Sequence, residues 1–240
     1  MNAATGSVAH RSGTGSHLGH RHPLGYADET TRYDAAIAGL RQVGELFYDR
    51  GWSVGTSSNY SVRLSQDPLR LVITASGKDK GRLGEQDFVV VDETGRPVDP
   101  TQPKPSAETL LHVVAAQLPH VGAVLHTHSV WATMLSDLHH AEGGFAIEGY
   151  EMLKGLDGHT THETRMWVDI FENTQQIPDL AAIVRERLID ERNPIKHGYL
   201  IRRHGLYTWG RDLAEARRHV EIYEFLFEVI GRTKMLAAGR

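Results

Sequence analysis

The sequence predicts a single α/β domain whose sheet need not be parallel. Short strand-like apolar runs and helical apolar patterns are mixed along the chain. No internal repeat and no second domain are visible. A chain of 240 residues, 40% hydrophobic, is long enough for one sizeable core.

Residues 1–28 are rich in Gly, Ser, His and Ala and carry no apolar period, so they read as a disordered tail. Residues 29–240 are the domain. From Tyr33, the residues Ala36, Ile37, Leu40, Val43, Leu46 and Phe47 recur at helical spacing, and Gly51 supplies a stop. The runs SNYSVRLS, LRLVITAS and DFVVVD follow as strands. KPSAETLLHVVAAQL reads as a helix capped by Ser106, with Glu108 in its first turn. VGAVLHTH is a buried strand, HSVWATMLSDL a helix, and GYLIRRHGLYTW a strand pair around a central turn. Asp212 and Glu215 make a capping box before a final amphipathic helix, which Gly231 is expected to end.

Composition excludes several classes. With a net charge of −4 and no long basic run, the chain shows no nucleic-acid footprint. There is no cysteine, hence no disulfide, thiolate metal site or cysteine nucleophile. That is compatible with the cytoplasm, the expected location. No stretch approaches the ~18 apolar residues that span a bilayer, and the N-terminus has no secretory apolar region.

His126 and His128 stand in H-T-H at the end of an apolar strand. The two-residue strand repeat sends both imidazoles to one face and Thr127 to the other. Two nitrogens at this separation can share one tetrahedral zinc. His204, in RRHGLYTWG, is the best-placed third ligand, since it follows the apolar run GYLI and precedes Gly205. His112, His120, His139, His140, His159, His162, His197 and His219 compete for that place. Three protein ligands leave a position open, as catalytic zinc sites do.

Three small-polar clusters lie upstream: Thr56–Asn59, Thr74–Gly77 and Lys104–Ala107. Hydroxyls, free backbone N–H groups and a helix start at Ser106 are what a phosphate needs.

The order TSSNYSVR, ITASGKDKG, KPSAET, GAVLHTHS and RRHGLYTWG resembles the class II aldolase/adducin superfamily, from about Tyr33 to Phe227. EGYEMLKGL, THET, FENTQQIP and RHGLYTWG resemble a branch that dehydrates a methylthio-substituted ketose phosphate rather than cleaving it. The resemblance implies a three-layer sandwich with a central mixed, largely antiparallel sheet flanked by helices. It also implies a homotetramer of four-fold symmetry with sites at subunit boundaries. His126, His128 and His204 match the zinc ligands, one ion per subunit. Glu151 matches the dehydratase acid/base, and Glu108 the catalytic carboxylate of the aldolases. Ser58-Asn59, Ser76-Gly77 and Ser106-Ala107 match the phosphate-contacting pairs. The chain departs from the aldolases at Ser58, where they carry glycine, and at Ala107, where they carry serine. An aldolase or epimerase acting on another sugar phosphate is the alternative reading. A non-catalytic adducin-like head is a third, against which the three histidines speak. Trp131, Met134, Phe145 and Tyr207 are candidates for gripping the methylthio tail.

Overall fold

In the computed structural model the described residues are Met1 and residues 25–239. Most of the expected tail therefore lies outside them. Helix α1 spans Gly25–Asp49, starting before Tyr33, where the apolar period begins. It buries Ala36, Ile37, Leu40, Val43 and Phe47, spaced by three and four. Gly51 ends it in the left-handed region, with φ +73°, and the N–H of Trp52 returns to the Phe47 carbonyl.

Three strands follow, β1 (Asn59–Gln66), β2 (Leu69–Thr74) and β3 (Phe88–Val91). Then come α2 (Thr109–Ala116), β4 (Ala123–Thr127) and α3 (Val130–Leu138). The second half holds β5 (Gly144–Glu148), β6 (Arg165–Phe171), α4 (Ile177–Leu188), β7 (Gly198–Ile201), β8 (Gly205–Gly210) and α5 (Leu213–Ala238). The eight strands form one sheet in the order β3-β2-β1-β4-β8-β7-β6-β5. Every neighbouring pair is antiparallel except β6 and β7. The sheet is mixed and largely antiparallel, as expected.

Strand alternation sorts the core into layers. Leu71, Ile73, Val124, Tyr199, Tyr207 and Trp209 point to the face covered by α2 and α4. Val72, Ala123, Leu125, Leu200 and Leu206 point to the opposite face, covered by α1, α3 and α5. Burying one stripe of each helix and both sides of the sheet is what makes the sandwich stable.

Three sequence expectations change. Helix α2 begins at Thr109, with Glu108 at the N-cap position, rather than at Ser106. Ser106 instead closes the preceding turn: its Oγ accepts from the Glu108 N–H at 3.2 Å, and its carbonyl accepts from Thr109. Helix α5 runs through Gly231 to Ala238. A Cβ at Gly231 would sit 2.4 Å from the Trp131 ring, so the glycine lets α3 and α5 approach instead of stopping the helix. Strands β5 and β6 and helix α4 have no counterpart in the sequence reading. The cap on α5 is as expected, with Asp212 Oδ1 accepting from the Glu215 N–H at 2.8 Å.

Candidate metal centre and its pocket

Strand β4 delivers the first candidate ligand. His126 follows Val124 on the α2/α4 face and is fully buried. Thr127 faces the other layer and donates to Glu224 on α5 at 3.0 Å. His128 lies one residue beyond the strand, where its N–H donates to the Trp52 carbonyl. His204 sits in the turn between β7 and β8. Arg203 takes a positive φ of 52° there, and the His204 N–H returns to Ile201. Thr133 of α3 donates to the His204 carbonyl at 3.1 Å and pins the turn.

The three imidazoles converge. One nitrogen from each lies within 4.8 Å of the others, making a group that could hold a metal ion. His126 Nε2 and His204 Nε2 are 3.3 Å apart. Two nitrogens ~2.0–2.1 Å from a tetrahedral zinc would be separated by about the same distance. Burial drives the pKa of His126 well below the ordinary histidine value, and burial beside His204 pushes His128 down to about 4. Both imidazoles are therefore neutral at physiological pH, the form a metal ion requires. His126 Nδ1–H donates to the Leu206 carbonyl at 2.9 Å, which leaves the Nε2 lone pair facing the cluster. The residues present fit a three-nitrogen catalytic site.

Close approach of β8 to β4 depends on Gly205. A Cβ there would meet the Thr127 carbonyl oxygen at 1.9 Å and His126 at 3.3 Å. Gly205→Ala is expected to push the two strands apart at the level of the ligands. A cost of about 1–3 kcal/mol in stability is the usual size of such overpacking. Thermal denaturation, together with a metal-binding titration showing weaker affinity, checks it.

Glu108 joins the histidines. Its Oε1 is 3.1 Å from His204 Nε2 and its Oε2 is 3.6 Å from His126 Nε2. Burial opposes its charge, but the His204 ring beside Oε1 and the Asn59 amide donating to Oε2 outweigh burial and hold the carboxyl well below the usual range. Tyr207 stacks on the His126 ring at 4.0 Å and Tyr199 stacks on Tyr207 at 5.2 Å, which fixes the imidazole plane. Lys80 is buried, and its ammonium donates to the carbonyls of Lys78 and Thr56, joining two of the small-polar loops.

A cavity of ≈ 210 Å³ opens beside His204 and Glu108. Ser76, Ser106 and Ala107 line it, together with Asn173, Thr174 and Gln175 in the loop that precedes α4. Gly77 holds its turn with φ +70°. Ser58 adopts φ +71°, a left-handed backbone that favours glycine. Asn59 is less available than the sequence indicated: its Nδ2 donates to Glu108 Oε2 at 2.8 Å and to Ser106 Oγ at 3.3 Å.

Glu151 is not among these residues. It lies in a short 3₁₀ turn, Glu151–Gly155, that packs on the α5 side of the sheet through Leu153. Glu148 pairs with Arg165, whereas Phe171, six residues along β6, is level with Ile201 at the histidine end. Six residues of strand span roughly 20 Å. Glu151 is exposed and pairs with Lys154 and with His162 at 3.5 Å. Of the tail candidates, Phe145 and Tyr207 are core residues, while Trp131 and Met134 line an apolar groove with Arg203.

The model of the class II aldolase and adducin N-terminal domain matches residues 38–230. The chain belongs to this family. The methylthioribulose-1-phosphate dehydratase of Marinobacter nauticus is 51% identical over 201 residues, which cover 83% of this chain and 94% of that one. The enzyme of the same name from Xanthomonas campestris pv. campestris is 52% identical over 191 residues, 79% of this chain and 83% of that one. Among solved structures, an L-fuculose 1-phosphate aldolase superposes with a TM-score of 0.68 at 22% identity, covering 84% and 87% of the two chains. The L-fuculose-1-phosphate aldolase of Thermus thermophilus superposes at 0.64 with 23% identity, covering 88% and 98%. At that identity the two aldolases share the fold. A metal site built from histidines accords with this family, which uses a divalent ion.

The histidine pair was legible in the sequence. The wall formed by Asn173–Gln175 carried a signal, FENTQQIP, but no role could be attached to it. His112 appeared only as a competing ligand, and Tyr207 only as a possible tail contact.

Proposed function

We propose that this chain is a zinc-dependent hydro-lyase that converts 5-methylthioribulose 1-phosphate to 5-methylthio-2,3-dioxopentyl 1-phosphate in methionine salvage. The observation that carries this reading is the convergence of His126, His128, His204 and Glu108 at a cavity lined by Ser76 and Ser106. The ~50% identity to the named dehydratases over most of the chain supports the choice of reaction.

His126, His128 and His204 hold one zinc per subunit. When bound, the ion supplies Lewis-acid polarisation of substrate oxygens, which makes a C3 proton beside a ketone removable. Glu151 takes the C3 proton, and the C4–O bond breaks as the hydroxyl leaves with a proton as water. The resulting enol tautomerises to the second ketone. Ser58, Asn59, Ser76, Gly77, Ser106 and Ala107 surround the phosphate, with Ser76, Ser106 and Ala107 the ones that line the cavity. Because Glu151 lies far from the histidines of its own chain, this role requires it to reach a neighbouring subunit's site. A homotetramer with sites at subunit boundaries is part of the proposal, as is a cytoplasmic location. Among the described residues no helix is long and apolar enough to cross a membrane.

Glu108 beside the ligands favours a second reading, an aldolase that breaks a C–C bond with the same metal. Incubating the purified enzyme with 5-methylthioribulose 1-phosphate and identifying the product by mass spectrometry and NMR separates them. Loss of one water is expected, whereas two smaller fragments would overturn the dehydratase reading. The dephosphorylated sugar is expected to be a much poorer substrate, since remote binding energy positions the reacting carbons. Equal kcat/KM for both sugars would remove the phosphate site from the proposal.

A further inference from the structure

Asn59, His112 and Ser61 form a buried chain of hydrogen bonds that ends on Glu108. Ser61 and His112 are fully buried and Asn59 nearly so. Ser61 Oγ lies 2.8 Å from His112 Nδ1, His112 Nε2 contacts Asn59 Oδ1, and Asn59 Nδ2 is 2.8 Å from Glu108 Oε2. His112 is on α2, one turn after Glu108, while Asn59 and Ser61 stand on the same side of β1.

The Asn59 amide orders the whole chain. Its N–H₂ donates to Glu108 Oε2 at 2.8 Å and to Ser106 Oγ at 3.3 Å. The Asn59 carbonyl oxygen then faces His112 and demands a donor, which makes Nε2 the protonated nitrogen. Burial pushes His112 down to about 4, so the ring is neutral and Nδ1 carries the lone pair. Ser61 must donate to it, and its alternative acceptor, the Val124 carbonyl, is farther at 3.5 Å. Reversing any member would set two acceptors or two donors against each other in a dry interior.

We propose that His112 is a positioning residue: through Asn59 it locks the Glu108 carboxylate against the His126 and His204 nitrogens. This gives the Asn59 amide the task of holding Glu108. It also explains why a fully buried histidine stands among the apolar residues of α2. The kinetic part of its test rests on the site being a metal-dependent enzyme.

The first arm needs no catalysis. The protein is labelled with ¹⁵N-histidine, and His112 is assigned by the signal lost in His112→Gln. The Nε2–H tautomer is expected, and an Nδ1–H tautomer overturns the proposal. The second arm compares His112→Leu with His112→Gln, whose amide N–H₂ can replace the Nε2 donor. Both are expected to retain about one zinc per chain. His112→Leu should lose about 10–100-fold in kcat, the usual cost of removing a partner of this kind. KM should change by less than about twofold, because the substrate itself is untouched. His112→Gln should recover most of the loss. Wild-type kcat in folded, zinc-loaded His112→Leu overturns the proposal, as does an equal loss in both variants. If His112→Leu does not fold, the tautomer and the His112→Gln rate decide. If wild-type protein does not dehydrate the sugar phosphate, the proposed function falls, and the tautomer still decides the relay.

Discussion

Replacing His126 or His204 with alanine is expected to release the metal and abolish turnover together. Wild-type protein should carry about one zinc per chain, and each variant close to none, by elemental analysis of protein dialysed against a weak chelator. The reason is geometric: the two Nε2 atoms are 3.3 Å apart, so one ion must use both, and two remaining ligands bind zinc poorly. Loss of the ion also removes its contribution to stability, about 2.7 kcal/mol when zinc is present at a hundred times its Kd. A strong chelator should therefore lower the Tm of the wild type and leave His204→Ala unmoved. Full zinc in folded His204→Ala would strike His204 from the ligand set. Glu108, 3.1 Å from His204 Nε2, would then be the next ligand to test.

The second large effect concerns the two glutamates. Glu151→Gln is expected to keep zinc, fold and substrate binding while losing ~10²–10⁴ in kcat, the range for one general acid/base. The amide is nearly isosteric but cannot accept the C3 proton, so exchange of that proton with solvent deuterium should stop as well. Glu151 is exposed in its own chain, so a folding defect is not expected to account for lost activity. Glu108→Gln should be milder under the dehydratase reading, and the order should reverse in an aldolase that uses the carboxylate beside the histidines. Because Glu151 stands at the far end of the sheet, mixing Glu151→Gln subunits with metal-free His126→Ala subunits supplies a further result. Activity should reappear in the mixed oligomers, where an intact metal site meets an intact Glu151. No recovery after verified subunit exchange would show that Glu151 does not act across a boundary.

Local pattern determined much of this molecule. The period of α1, the alternation of β1, β2 and β4, and the Asp212 cap are short-range properties of a few residues, readable wherever they occur. H-T-H placed two imidazoles on one side because a strand repeats every two residues, and Thr127 turned to the other layer as that repeat requires. Relations between distant segments were decided by tertiary structure. Thr127 and Gly205 are far apart in sequence, yet the glycine is needed only because β8 packs directly against β4. Gly231 looked like a helix stop because, locally, glycine is one. The nearby Trp131 ring gives it a different purpose. Asn59 and His112 carried no mark of their partnership, since a side chain's hydrogen-bonding duty depends on which polar groups the fold buries beside it. The position of Glu151, remote from the histidines its motif implies, was likewise set by strand order: β5 lies at the sheet's edge and runs away from the metal end.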